Sequence, residues 1–231
     1  MVDEQAVIRA LTKSAEIDDK PEARRESKPV ITISRTIGSG GDEIARALAE
    51  RLGVECYAKE ILDSVVKSSD FTKKLAADLH EKVSQTSDAW LYSLVFGKNV
   101  RKDDYLHHLA VTIRQLYQLG GVIVGRGGHL ILAGRDVLRV RVTGSVEACA
   151  RRIALQDGTD LAEAKKKVRQ SNKARGQFQW KMFGSRANDP ANYDIVINTD
   201  HFAEYDHVVK ILMQAMKSLG LDKPATGTNR K

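Results

Sequence analysis

A glycine-rich turn early in the chain has the composition of a phosphate-binding loop. It reads Gly38-Ser39-Gly40-Gly41 and is followed by the acidic pair Asp42 and Glu43. Between a strand and a helix, such glycines let backbone N–H groups converge on phosphate oxygens, with the positive end of the helix dipole behind them. The same glycines would also suit a tight turn that binds nothing, and the turn alone leaves both interpretations open.

The turn departs from the usual P-loop pattern G-x-x-x-x-G-K-[ST], because Gly41 stands at the lysine position and Asp42 at the hydroxyl position. An aspartate in the first helical turn stabilises the helix but repels a bound anion. A cation must therefore compensate. Arg35, just before the turn, is the nearest candidate, and Mg²⁺ bound through Asp42 or Glu43 is the second.

Several arginines could hold further phosphate oxygens, since a planar guanidinium can bind two of them at once. Arg126 lies between glycines after a strand-like run, and we predict that it binds a substrate phosphate or base. A basic helical region carries three more candidates, Arg151, Arg152 and Arg175, and solvent exposure is the competing interpretation for Arg151 and Arg152. The two cysteines, Cys56 and Cys149, lack the spacing of a zinc or redox site, so we assign no protein metal ligands.

These residues are placed between alternating strand and helix signals. Short β-branched or apolar runs predict strands, whereas helical spacing dominates 59–119 and returns after Val146; a capping-box pattern begins at Asp160. The predicted strands are Val30 to Ser34, Val122 to Val124, Val137 to Val142 and Tyr193 to Asn198. This alternation predicts an α/β fold with a mostly parallel sheet, helices on both faces and ligands beyond the carboxyl ends of the strands. We expect the first strand to be central.

Length and composition are those of one globular domain: 231 residues, of which 42% are hydrophobic and 29% charged. No apolar run is long enough to cross a bilayer, and the first twenty residues lack the apolar segment of a secretory signal, so we expect a cytoplasmic protein without membrane contact. The net charge of +7 favours anionic partners, which include nucleotides and nucleic acid, or simply promotes solubility.

Taken together and in order, the motifs resemble the cytidylate kinase-like family over 30–219. They are Ile33-Ser34-Arg35 with Gly38-Ser39-Gly40-Gly41, Val122 to Gly127, Asn172-Lys173-Ala174-Arg175, Phe183-Gly184, Asp189-Pro190 and Tyr193 to Thr199. The resemblance implies a three-layer P-loop kinase-type fold and transfer of the γ-phosphoryl group of ATP, with Mg²⁺, to CMP, dCMP or a related nucleotide. We accordingly predict catalytic roles for Arg35, Arg126 and Arg175, of which Arg175 matches the family's lid arginine, and ATP binding by 38–43 and Arg151.

The resemblance also implies a division of the chain. We expect a flexible extension at 1–29, a kinase-like domain at 30–220 and a disordered tail at 221–231. Within the domain, 57–119 would be a helical acceptor-binding insertion and 151–185 a basic lid. Since the basic residues from Asp160 to Arg175 have no obvious partners in the sequence, their mutual repulsion should favour an open lid.

Two alternatives to a kinase stay open. Asp42 stands where many family members have arginine, Ala58 where an acidic residue is common, and Asn172 where a lid aspartate is common. These departures favour a catalytically weak or inactive nucleotide-binding regulator on the same fold. The basic charge would suit a nucleic-acid-binding protein, but no recognised binding motif accompanies it.

Overall fold

The computed structural model describes residues 28–58 and 102–222. Most of the predicted extension at 1–29, the larger part of the predicted insertion at 57–119, and the tail beyond 222 lie outside the described residues. The division of the chain into extension, domain, insertion, lid and tail therefore stays a prediction.

In the described residues, five strands form one sheet in the order β2-β3-β1-β4-β5, and all their pairings are parallel. The strands are β1 (Val30–Arg35), β2 (Cys56–Tyr57), β3 (Gly121–Val124), β4 (Leu138–Thr143) and β5 (Ile195–Asn198). The helices are α1 (Gly41–Leu52), α2 (Lys102–Leu119), α3 (Gly128–Ile131), α4 (Val146–Asp157), α5 (Leu161–Phe183) and α6 (Tyr205–Ser218), with a 3-10 turn at Pro190–Asn192. The prediction that β1 is central is confirmed.

Alternate residues of β1 enter two separate cores, because successive side chains of a strand point to opposite faces of the sheet. Ile31 and Ile33 pack with α1 and α6, whereas Val30 packs with α2. Both isoleucines are essentially fully buried, and such burial stabilises a fold by about 1.5–3 kcal/mol per side chain. Helices therefore cover both faces, and the predicted three-layer α/β fold is confirmed.

Element boundaries differ from the prediction where local hydrogen bonds take over from the sheet. β5 begins at Ile195 and not at Tyr193, because the Tyr193 N–H closes the 3-10 turn on Pro190 O at 3.0 Å. At the other end of the domain, Leu221 is buried in the core, one residue beyond the boundary expected at 220.

Helix α5 starts as predicted, with Asp160 accepting a hydrogen bond from Glu163 N at 2.8 Å. It runs without a break for 23 residues and packs along α4. Two of its lysines bind acidic residues of α4: Lys165 pairs with Glu147 at 3.2 Å, and Lys167 pairs with Asp157. The expectation that the basic residues of this helix lack partners was therefore wrong for these two, although such exposed pairs add little to stability.

Candidate functional site

Strands β1 and β3 lie side by side, and each ends in a glycine-rich turn that leads into a helix. In the first turn Gly40 has a φ of 76° just before α1, and in the second Gly127 has a φ of 71° just before α3. Glycine adopts this left-handed conformation without a steric penalty. Both turns therefore meet at the carboxyl edge of the sheet, where parallel α/β sheets bind their ligands.

The first turn is fixed by side chains from distant elements. The Ser39 hydroxyl donates to Thr36 O at 2.9 Å, and the Thr199 hydroxyl donates to Ser39 O at 2.9 Å. Arg152 of α4 donates to Gly38 O at 3.1 Å and to Thr199 O at 2.6 Å. Carbonyl groups of the turn are thus satisfied within the protein, while helix geometry leaves the first amides of α1 without intrahelical partners.

Arg152, for which the sequence leaves phosphate binding and solvent exposure equally open, is therefore the arginine of α4 that contacts the turn. Arg151, to which we assigned ATP binding, has an exposed side chain on α4. That assignment stays a prediction. The two residues are adjacent on the helix and point in different directions, a difference that the sequence does not reveal.

An ion pair joins Asp42 to Arg35, the first of the two candidate cations. Both Nε and Nη2 of Arg35 lie 2.9 Å from Asp42 Oδ1, and the Arg35 side chain is only 10% exposed. A Cβ atom added at Gly41 would lie 2.5 Å from Arg35 Cβ. Arg35 thus occupies the space beside the position where the usual P-loop has its lysine. Glu43, in the same helical turn, is exposed.

Next to this ion pair lies a cavity of about 290 Å³ that brings the three predicted catalytic arginines together. Its lining includes four arginines and, among the described residues, no aspartate or glutamate. The arginines are Arg35, Arg126, Arg141 and Arg175. No residue of 38–41 lines the cavity, so it is separate from the glycine turn. The arrangement suits a ligand with several negative charges.

Arg126 and Arg175 are each held in a defined position at this cavity. Arg126 has a φ of 50°, the one positive value outside glycine in the described part of the chain, and its guanidinium carbon lies 5.0 Å from the Phe178 ring centre. A side chain in this backbone region costs about 1–3 kcal/mol and is found most often at functional sites. Arg175 donates from Nη1 to Arg35 O at 2.9 Å, which connects α5 to the end of β1.

The sequence analysis missed three buried polar residues of the same cavity. Arg141 is 8% exposed and donates to Ser34 Oγ at 2.8 Å and to Asn188 Oδ1 at 3.2 Å. His129 and Gln179 each have a buried side-chain nitrogen, Nε2 in both cases, without a hydrogen-bond partner. The sequence gives one indication of Arg141, because this residue places a charge within a run of residues predicted to form a buried strand.

His129 is neutral at physiological pH. Burial, together with the nearby cations Arg141 and Arg139, lowers the pKa of its imidazole to about 4. The ring stacks on Tyr193 with centroids 4.6 Å apart. A neutral imidazole keeps one nitrogen as donor and the other as acceptor.

A wider depression of about 800 Å³ lies along α5 and shares Ala187 with the first cavity. Its lining includes Lys173, Arg186 and Trp180, whose side chain is 56% exposed. Asn172 accepts a hydrogen bond from Ile37 N at 3.1 Å and so connects α5 to the start of the first turn. In the described residues we find no cluster of His, Cys, Asp and Glu that could hold a metal ion, and no helix long and apolar enough to span a membrane.

Comparisons with known proteins agree with this geometry. The cytidylate kinase of Methanopyrus kandleri is 27% identical over 203 residues, covering 82% of this chain and 94% of that protein. The cytidylate kinase of Methanothermobacter thermautotrophicus is 24% identical over 174 residues, covering 75% and 96%. An uncharacterized protein from Eubacterium ventriosum has a similar structure, with a TM-score of 0.63 and 22% identity over 83% of this chain and 99% of that one. The model of the cytidylate kinase-like family matches residues 30–201, and the chain belongs to this family.

Proposed function

We propose that the protein is an ATP-dependent nucleoside monophosphate kinase whose acceptor is CMP, dCMP or a related nucleotide. The observation that carries the proposal is the convergence of Arg35, Arg126 and Arg175 on one cavity beside the glycine turn, whose lining among the described residues includes no aspartate or glutamate. Membership of the cytidylate kinase-like family and relatives named cytidylate kinase support the reaction class.

The chemistry needs alignment and charge stabilisation more than an acid or a base. An oxygen of the acceptor phosphate attacks the γ-phosphorus of ATP, the bond to the bridging oxygen breaks, and ADP leaves with that oxygen. The acceptor phosphate is already a nucleophile, so the protein's task is to bring two polyanions into line. Arginines that bind bidentately serve that task.

The first turn and the N-terminal amides of α1 would hold phosphate groups of ATP, because the turn's carbonyl groups already have partners and its amides face the ligand edge. Mg²⁺, when bound with ATP, neutralises the phosphate oxygens and orients them. Asp42 and Glu43 are the acidic residues near enough in sequence to contact it, directly or through water. Asp42 also binds Arg35, which lies between the turn and the cavity.

Arg126 and Arg175 would stabilise the transferring phosphoryl group from the cavity side. Arg175 lies on α5, within the region 151–185 that we propose as the lid. Two hydrogen bonds connect this helix to the segment before the glycine turn, from Arg175 to Arg35 O and from Ile37 N to Asn172 Oδ1. Movement of the lid would therefore break or remake contacts directly beside the ATP site.

A coupled assay of ADP release tests the proposal with CMP, dCMP, UMP and AMP as acceptors. Since Arg126 would act in the transition state, Arg126→Ala should lower kcat/KM by about 100-fold, a loss of about 2.7 kcal/mol. Arg114→Ala, which removes an exposed arginine of α2, serves as the control and should leave the rate unchanged. Absence of turnover with every acceptor would contradict the kinase assignment.

A specific observation favours the second candidate, a nucleotide-binding regulator with little or no activity. The lysine position is Gly41, and the nearest cation, Arg35, is already bound to Asp42. ATP binding measured by calorimetry, together with no ADP release under any acceptor, would support the regulator over the kinase.

A further inference from the structure

Strand β4 carries two arginines two residues apart, on the same face of the sheet, in contrasting surroundings. Arg139 binds Asp194 through both its backbone and its side chain: N, Nε and Nη2 lie 2.8, 3.2 and 2.6 Å from the carboxylate oxygens. Arg141 is more deeply buried, and its contacts within the described residues are to neutral groups, namely Ser34 Oγ, Asn188 Oδ1 and the ring of Tyr193. Among the described residues, Arg139 therefore has a carboxylate partner and Arg141 has none.

A buried cation without an anionic partner is unfavourable in the folded protein, because removal from water is not offset by a carboxylate. Neutral hydrogen bonds hold the Arg141 guanidinium in place but do not neutralise it. Since the guanidinium lines the cavity, an anion bound there would supply the missing charge.

Two further side chains at this cavity have unused hydrogen-bonding atoms. His129 is 3% exposed and Gln179 is 6% exposed, and Nε2 of each is buried without a partner. They lie on α3 and α5, on either side of β4 in sequence, yet line the same cavity. Buried polar atoms are almost always hydrogen-bonded. Two such atoms without a partner at one cavity therefore indicate that a ligand or water binds there.

We infer that Arg141, His129 and Gln179 form an anion-binding subsite that holds the phosphate group of the acceptor nucleotide. This inference rests on the proposed function, to which it adds the residues that line the phosphate end of the acceptor site. Arg141 gives the charge, and the two uncharged side chains complete the hydrogen bonding of the phosphate oxygens.

The acceptor is the source of this phosphate and ATP is not, because the cavity has no lining residue from the glycine turn at 38–41. Arg35 lines the cavity and is bound to Asp42 beside the glycine turn, so it lies between the cavity and the turn. ATP would then place its phosphates at the turn, and the acceptor would place its phosphate in the cavity. The two nucleotides would approach each other from opposite sides of Arg35, as transfer between them requires.

Calorimetric titration of CMP, UMP and AMP, and of the corresponding nucleosides, tests the subsite in wild type and in Arg141→Met. For the nucleotide that wild type binds most tightly, Arg141→Met should weaken binding at least about tenfold, the scale of a lost charge-assisted hydrogen bond. Binding of the nucleoside should not change. Unfolding of the ligand-free variant should occur at the same temperature as in wild type or higher, since an uncompensated buried charge has been replaced by an apolar side chain of similar length.

Arg139→Met is the matched control on the same strand. It should lower the unfolding temperature, because Asp194 loses its partner, and leave nucleotide affinity unchanged. If Arg141→Met behaves like Arg139→Met, Arg141 is a structural residue and the inference is wrong; equal affinity of wild type for nucleotide and nucleoside would also overturn it. Should Arg141→Met fail to fold, Arg141→Lys keeps the charge, and unchanged nucleotide affinity there would contradict a bidentate contact.

None of these readouts requires turnover. Loss of binding in Arg141→Met without ADP release by wild type would overturn the kinase proposal alone, whereas normal turnover with normal affinity in Arg141→Met would overturn the subsite alone.

Discussion

The two glycine turns have similar local sequence and backbone but differ in what surrounds them. The first leads into α1, a 12-residue helix whose apolar face packs into the core, whereas the second leads into α3, which has only four residues. The first is bound by Thr199 and Arg152; the second presents Arg126 and, directly after it, His129. A long helix supplies aligned amides and a dipole to an anion, and a single short turn does not. We therefore expect the first turn to bind a ligand mainly through its backbone and the second mainly through its side chains.

The largest expected effect comes from filling each turn with a methyl group. In Gly40→Ala the new Cβ would lie 2.0 Å from a ring carbon of Tyr205, and in Gly127→Ala 2.3 Å from one of Phe183. If the turns serve different ligands, Gly40→Ala should weaken ATP binding by at least about a thousandfold, or about 4 kcal/mol, and barely alter CMP binding. Gly127→Ala should do the reverse.

Calorimetric titration of both nucleotides into both variants measures this separation, and urea unfolding reports the accompanying strain of about 1–3 kcal/mol. Equal losses of ATP and CMP affinity in each variant would show that the two turns form one site and do not serve different ligands.

The sequence predicted the fold well because its determinants are local. Short β-branched runs, helical spacing and the cap at Asp160 each act within a few residues, and their alternation allows few topologies. The boundaries that differ, such as the start of β5, depend on a competing turn at Pro190–Asn192.

The site was predicted in part, for a physical reason. Arg35, Arg126 and Arg175 follow strand ends or family motifs, which sequence reveals. Arg139 and Arg141 are equivalent in sequence pattern, and only the fold shows that Asp194, 55 residues from Arg139, pairs with one of them. Partners so distant in the chain leave no local signal.

A smaller effect should come from the histidine behind the second turn. The pKa of His129 is lowered by burial from 6.5 to about 4, so between these values the unfolded chain binds more protons than the folded protein. Stability should therefore fall by about 3 kcal/mol as pH drops from about 6.5 to about 4, and should not change from this cause above about pH 7.

Urea unfolding across this pH range in wild type and His129→Gln isolates the contribution, because other titrating groups are common to both. The difference in unfolding free energy between the two proteins should shrink or reverse towards low pH. His201→Gln, which changes an exposed histidine, should follow wild type. A pH-independent difference for His129→Gln would mean that the imidazole is not held neutral behind the second turn.

The smallest effect concerns how the first turn holds ATP without a lysine. Arg35 already binds Asp42, so a phosphate must compete with the carboxylate for its guanidinium, and the net gain is reduced. Arg35→Ala should then weaken ATP binding by about 1.5 kcal/mol, the low end for a hydrogen bond to a charged group. Asp42→Asn should leave affinity unchanged or improve it, because it frees the guanidinium and removes a repulsive charge at the N-terminus of α1.

If Mg²⁺ bound through Asp42 holds the nucleotide instead, Asp42→Asn should weaken binding, and only when Mg²⁺ is present. Calorimetric titration of ATP into both variants, with and without Mg²⁺, separates the two cases, and Glu50→Gln gives a matched loss of charge at an exposed position further along α1. Normal ATP affinity in Arg35→Ala and in Asp42→Asn alike would reject both cases. The first turn would then be an ordinary bend, and phosphate recognition would belong to the arginines around the second.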